Sequence, residues 1–327
     1  MARPIRHVPR DSSRRRLWVY FAVAVFILAD VALIAYALNF DRSITTAEQP
    51  RPVPTFANQV SSAPPAAPAA ESTSVPAAVP IVAVPPTRFL SAVDDTTAWR
   101  AVTGECPSSP VAPEFTTDAG VAWTFTNATD QTDVTALQGL IASSESIVQL
   151  VGLAAADCEP QFVQTFVGGD TFKSYPEKLE GAWFIDPADR AFVHSPTGDS
   201  AAPCPAMIAL APRDAESAAV LCDDQTIFTT TDAAATWSSP MTLAGAVAIT
   251  ASDTGYLAAA VGRAECAGVQ LQTITPALIS TEQGCFKTAA QPAQLSGTVA
   301  VSSASGTIWL WAGDAFTRSA DGGVNWE

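Results

Sequence analysis

Lysine is almost missing from this chain of 327 residues. Only Lys173, Lys178 and Lys287 occur, within 17 Lys+Arg set against 32 Asp+Glu. Just 15% of the residues are charged, and the formal net charge is −15. A nucleic-acid backbone needs a basic footprint, so this deficit argues against nucleic acid as the main partner. Histidine is scarcer still: His7 and His194 are the only two, and no CxxC pair occurs. That argues against a zinc site and leaves no suitable histidine for serine-hydrolase chemistry. No GxGxxG or Walker-type loop is present, no long amphipathic helix stands out, and no cofactor is expected. What the chain does have is apolar residues, 48% of the total, which excludes a wholly disordered polymer. The length suffices for one large domain or two ordinary ones.

The averages conceal segments of opposite character. Residues 1–16 carry six arginines (Arg3, Arg6, Arg10, Arg14, Arg15, Arg16) against Asp11, a charge of +5. Residues 17–40 are apolar apart from Asp30 and Asn39, and roughly 20 such residues cross a bilayer core. Basic residues ahead of the span predict a cytoplasmic N-terminus and an extracytoplasmic remainder on a single-pass membrane anchor. A cleaved signal peptide is the alternative: Ala35-Tyr36-Ala37 fits a cleavage site, although signal-peptide cores are shorter, roughly 7–15 residues. Asp30 near mid-span is read either as a contact with another membrane helix or as a protonated carboxyl the helix tolerates. Residues 41–79 are rich in Pro, Ala, Ser and Thr, have no period, and predict a semi-rigid linker. Beyond the span lie 11 basic and 30 acidic residues, a net −19. Such a surface repels anionic polymers and lipid headgroups.

All six cysteines (Cys106, Cys158, Cys204, Cys222, Cys266, Cys285) lie beyond the span, and an even count in an exported domain predicts three disulfides. From residue 80 onward, short apolar stretches are broken by Gly, Asp, Ser and Pro every eight to twelve residues or so, the spacing of an all-β architecture. AVAIT (246–250), GYLAAAVG (255–262) and TIWLWAG (307–313) are examples.

A repeat runs through this region: Ser/Thr-x-Asp-x-Gly-x-x-Trp. Its copies are Thr116, Asp118, Gly120 and Trp123; Thr230, Asp232 and Trp237, with Ala234 in place of glycine; and Ser319, Asp321, Gly323 and Trp326. Weaker echoes fall at Thr165, Gly169 and Phe172 and at Ser280, Glu282 and Gly284. In a tight hairpin the hydroxyl and carboxylate can bond turn amides, the glycine can adopt a positive φ, and the Trp can cover the turn. The motif resembles the Asp-box (BNR) repeat of sialidase-like, sortilin-type and photosystem-assembly-factor-like β-propellers, and the likeness extends over about residues 88–327.

That resemblance implies an all-β propeller whose boxes are structural and sit away from the central ligand site. The spacing predicts about six blades, with five and seven open, one of them degenerate within the gap of 65 residues between Thr165 and Thr230. The chain stops before a fourth strand of the last blade, so Pro80-Ile81-Val82-Ala83-Val84-Pro85 is expected to supply it and close the ring. The repeat also predicts the pairs Cys106–Cys158, Cys204–Cys222 and Cys266–Cys285. A sialidase site would need three arginines and a Tyr/Glu pair, and only Arg88 of Thr87-Arg88-Phe89-Leu90 matches that family's opening motif. Candidate ligand-binding residues are Arg88, Arg100, Arg190, Arg213, Arg263 and Tyr256; Arg318 adjoins a box, and no catalytic residue is assigned. The expected function is a membrane-anchored binding or scaffolding module for an unknown protein, peptide or glycan. A divergent sialidase-like glycosidase is the alternative.

Overall fold

A computed structural model describes residues 80–327. The basic tip (1–16), the apolar span (17–40) and the linker (41–79) lie outside the described residues. Among those described, no helix is long and apolar enough to cross a membrane.

The stretches punctuated by turns fold into six antiparallel sheets. Blade one is β1 (Arg88–Ala92), β2 (Ala98–Val102), β3 (Glu114–Thr116) and β4 (Thr124–Phe125). Blade two is β5 (Val134–Ala142), β6 (Val148–Ala154), β7 (Pro160–Thr165) and β8 (Phe172–Ser174). Blade three has only β9 (Phe184–Ile185), β10 (Phe192–Ser195) and β11 (Gly198–Ala201). Blade four is β12 (Met207–Pro212), β13 (Ala218–Cys222), β14 (Thr226–Thr230) and β15 (Met241–Thr242). Blade five is β16 (Ala246–Ser252), β17 (Gly255–Val261), β18 (Gly268–Ile274) and β19 (Ser280–Lys287). Blade six is β20 (Val299–Ala304), β21 (Thr307–Ala312) and β22 (Ala315–Ser319). The innermost strands β1, β5, β9, β12, β16 and β20 touch in sequence and β20 returns to β1, so the chain forms a six-bladed β-propeller. The face on which β1 begins is called upper here, and the opposite face lower. Three one-turn helices, α1 (Thr129–Thr132), α2 (Pro176–Leu179) and α3 (Pro292–Leu295), sit in connections.

There is no single core. Six buried apolar clusters are distributed one to each seam between neighbouring blades. Middle strands such as β17 are buried along their whole length, because a neighbouring blade covers each face. That explains why GYLAAAV reads as a continuous apolar run rather than an alternating one. The seam between blades two and three is the thinnest, with Val151, Phe162 and Phe184 as its buried members.

Tryptophans tie the blades together in both directions. Trp99 on β2 donates to the Ser144 carbonyl in the lower turn of the next blade at 3.3 Å, and Trp309 on β21 donates to Asp94 of blade one at 2.9 Å. Trp183, just before β9, makes the corresponding bond to Asp214 of blade four at 2.9 Å. The tryptophans of the repeated turns lean the other way. Trp123 packs edge-on against Phe316 of blade six, Trp237 donates to Ala201 of blade three, and Trp326 packs against Phe286 of blade five.

The three full repeats form one kind of lower-face turn between third and fourth strands. Thr116, Thr230 and Ser319 each donate to their own aspartate, at 2.7, 2.8 and 2.8 Å. They accept the amides of Gly120, Ala234 and Gly323 at 3.0, 3.1 and 2.8 Å. Gly120 and Gly323 take φ of 88° and 86°, and Ala234 is driven into the same left-handed region at 68°. For an L-residue this conformation costs about 1–2 kcal/mol. Each aspartate then accepts the amide four residues on, from Ala122, Thr236 and Asn325, all at 2.9 Å. Its own turn therefore holds each carboxyl below its ordinary value: the Ala122 amide does so for Asp118, the Thr236 hydroxyl for Asp232, and the Asn325 amide brings Asp321 to about 2. Of the echoes, Thr165 keeps the hydroxyl bond, accepting the Gly169 amide at 3.1 Å. The echo at Ser280, Glu282 and Gly284 is not a turn. These residues lie within β19, and Thr275 makes the corresponding hydroxyl bond, to the Ile279 amide at 3.1 Å.

Residues 80–85 do not supply the missing strand. Pro80 and Pro85 have no N–H for a ladder. The Ile81 carbonyl accepts from the Gln225 side chain at 2.5 Å, and the Val82 carbonyl from Ser296 at 2.6 Å. Ala83 is buried between blades four and five while Val82 is 78% exposed, so the segment lies across the upper face. Blade six has three strands, and Glu327 exchanges the first backbone bonds of a fourth with Arg318, at 2.9 and 3.2 Å. Side chains and one backbone bond therefore close the ring: Trp309 on Asp94, Arg318 on the Asp95 carbonyl, the Ala92 amide on Ser302 Oγ at 2.9 Å, and the Thr87 amide on the Gly297 carbonyl at 2.8 Å.

Three disulfides, Cys106–Cys158, Cys204–Cys222 and Cys266–Cys285, lie toward the upper face. The first joins blades one and two, the second ties the strand-free approach of blade four to its own second strand, and the third is internal to blade five.

Candidate functional site: a central channel and a lower groove

The inner strands enclose a channel of about 470 Å³. Its walls are mostly apolar residues, and Pro85, Pro86 and Thr87 reach its upper mouth. The only charged side chains on its lining are Arg88 and Arg190. Both are already committed to the fold. Arg88 donates to the Gly313 carbonyl and lies over the Trp311 ring, 4.4 Å from its centroid. Arg190 donates to the carbonyls of Met207 and Ile208, at 2.5 and 3.1 Å. Burial lowers the pKa of both guanidinium groups, without approaching neutrality at ordinary pH.

A second hollow of about 550 Å³ opens on the lower face, sharing Gly139, Ile141, Trp183 and Pro212 with the channel. It lies where blade three departs from the others. Trp183, before β9, stands beside the lower ends of β5 and β12, while the hairpin after β9 bonds the start of β12 through Arg190 O and the Met207 amide. β9 therefore runs upward, against the other five inner strands. It corresponds to the second strand of an ordinary blade, and the first strand is absent.

Lys178, on α2, and Arg213, just after β12, both line this groove. Lys178 Nζ donates to Gln164 Oε1 at 2.6 Å and lies 4.6 Å from the centroid of Tyr175 and 5.2 Å from that of Phe166. Arg213 lies over Tyr256 at 5.7 Å. Burial, opposed in part by Arg213, pushes the Tyr256 hydroxyl up to about 12. Asp214, the groove's one acid, turns its carboxylate to the amides of Glu216 and Ser217, at 3.0 and 2.6 Å.

The remaining candidate residues lie elsewhere. Arg100 pairs with Glu114 at 2.7 Å and is sandwiched in the closing seam over Trp123, at 3.8 Å. Arg263 pairs with Glu282 on the outer part of blade five, and Arg318 with Glu327. Tyr256 is 1% exposed within the seam between blades four and five. The structure thus brings Arg88 and Arg190 to one channel and Arg213 to the adjoining groove. It does not gather three arginines with a Tyr/Glu pair on either lining. His194 Nδ1 is 2.6 Å from Asp199, its ring stacked on Phe184. Among the described residues no group of His, Cys, Asp and Glu is arranged to hold a metal. Lys178 and Trp183 escaped the sequence reading, although the rarity of lysine and the irregular gap before Thr230 both point to that stretch.

No family model and no curated protein matches the chain. Among solved structures it resembles the six-bladed fucose-recognising lectin of Aleuria aurantia at 11% identity, covering 73% of this chain and 96% of the lectin, with a TM-score of 0.41. It also resembles YCF48 from Cyanidioschyzon merolae at 13% identity, covering 76% and 69%, TM-score 0.28. A GH74 xyloglucanase from Xanthomonas campestris is similar at 14% identity over 73% of this chain, which spans 37% of that enzyme, TM-score 0.30.

Proposed function

We propose that this protein is a binding module displayed outside the cell: residues 17–40 anchor it, residues 41–79 form a stalk, and an Asp-box propeller presents its cavities to a protein, peptide or glycan without catalysing a reaction. One observation carries the binding role. Four of the nine basic residues between positions 80 and 327 line the channel and groove, against one of the 27 acids. Hollows lined by four cations and one acid, in a domain that is acidic elsewhere, draw negative charge toward them. The three disulfides support an oxidising compartment, and the arginine-rich tip supports the orientation.

The test has two arms. Protease added to intact cells expressing the full chain should cut within 41–79 and release the propeller with all six cysteines unreactive toward thiol reagents; a protected propeller would contradict the display. The purified chain should leave a fluorogenic sialoside intact, whereas turnover lost on substituting channel residues would contradict the non-catalytic reading.

A further inference from the structure

The groove in blade three is a ligand site with a chemistry of its own. The missing first strand leaves a hollow walled by Ile141 of blade two, Pro212 of blade four, Trp183 and Phe162. Its size lies within the roughly 300–1,000 Å³ typical of small-molecule sites, and like them it is mainly apolar with a few polar groups. Neither Lys178 nor Arg213 has a carboxylate at ion-pair distance, the ion pairs among the described residues belonging to Arg100, His194, Arg263 and Arg318, although Arg213 lies close enough to Asp214 to stabilise its charge. The one acid nearby is occupied by turn amides. Of the three ammonium donors of Lys178, one is used, on Gln164.

Two cations against one acid over apolar walls call for a ligand that is anionic at one end and apolar at the other. The surrounding charge sets how anionic it can be. Residues 80–327 carry nine basic and 27 acidic side chains, a field that repels polyanions far more than a single charge. The geometry points to a small monocarboxylic acid with a ring-sized apolar body as the ligand of this groove, its carboxylate between Lys178 and Arg213 and its ring against Trp183 and Phe162. This deepens the binding role proposed above and rests on it.

The test is a calorimetric titration of the purified full chain with 3-phenylpropionate, its neutral amide and inorganic phosphate. The acid should bind roughly tenfold or more tightly than the amide, since charge-assisted hydrogen bonds are lost with the charge. Lys178→Met and Arg213→Gln should each weaken the acid about fivefold or more, measured well below the melting transition of each variant because Lys178→Met also takes the donor from the buried Gln164 Oε1. Ile141→Asp, at the half-exposed rim, should abolish binding and provides a second variant should either of the others fold poorly. Equal affinity for acid and amide, tighter binding of phosphate, or indifference to all three substitutions would overturn the assignment. Sialoside turnover would sink the binding role as a whole, whereas failure of the acid to bind without any turnover would sink the groove assignment alone.

Discussion

The indole N–H of Trp309 in the last blade donates to the backbone carbonyl of Asp94 in the first at 2.9 Å, across 215 residues of sequence. No strand is shared between these blades, so this bond, the Trp123–Phe316 contact and the Arg100 stack stand where other propellers interleave strands. Trp309→Phe keeps most of the packing but leaves the Asp94 carbonyl without its donor. It should cost about 1–3 kcal/mol, a fall in melting temperature of about 2–8 °C for a domain of this size. Trp309→Ala should cost about 3–5 kcal/mol. Urea unfolding of both variants checks the order, and a Trp309→Phe variant as stable as the parent would mean that the hydrogen bond adds nothing.

The seam between blades five and six depends on two glycines. A Cβ on Gly284 would stand 1.7 Å from the Gly323 carbonyl oxygen, with backbone rather than a flexible side chain in the way. Gly284→Ala should therefore destabilise by about 1–3 kcal/mol or more, through the forced backbone shift. Gly181→Ala, whose nearest obstacle is 3.7 Å away, is the control and should be nearly neutral. Thermal melts of the pair read the difference.

Acid should loosen the repeated turns. Asp118, Asp232 and Asp321 are held below their ordinary values, so each binds fewer protons in the folded chain than in the unfolded one. Their contribution is complete above the unfolded pKa of about 3.9 and is lost as pH falls through the folded values, down to about 2 for Asp321. The urea midpoint should fall between about pH 5 and pH 2, and Asp321→Asn should flatten that fall. An unchanged slope in the variant would show that the turn does not hold its carboxylate.

The disulfides should differ in value. Cys106 and Cys158 are 52 residues apart, Cys204 and Cys222 only 18. In the chain-entropy account, replacing the first pair by alanine costs about 4 kcal/mol and the second about 3 kcal/mol. Guanidinium unfolding of the two double variants would check the ranking.

Local pattern made much of this fold legible, and long-range contacts explain what was not. The repeat Thr116-Asp118-Gly120-Trp123 marks a hairpin because its hydrogen bonds span four residues or fewer. The surplus length before Thr230 signalled an extra blade but not which of its strands was absent, since that depends on the direction of β9 between two neighbours. Ser280-Glu282-Gly284 mimicked the repeat, yet Thr275 is the residue placed at the end of β18 where the turn forms. Pro80–Pro85 looks like a strand by apolarity, but side chains from Gln225 and Ser296 take two of its carbonyls, and no local signal announces partners so far along the chain. Lys178 and Arg213 meet one groove only because β12 and α2 flank the place of a missing strand.

The most direct test of the account is the ¹⁵N–¹H indole spectrum of the full chain titrated with 3-phenylpropionate. Trp183 lines the groove with its N–H bonded to Asp214, while Trp99 and Trp309 make the same kind of bond at seams remote from it. The account predicts that the Trp183 resonance moves with the acid, holds still with the amide and ceases to respond in Ile141→Asp, while Trp99 and Trp309 stay in place. A silent Trp183, or uniform shifts of all three, would contradict it.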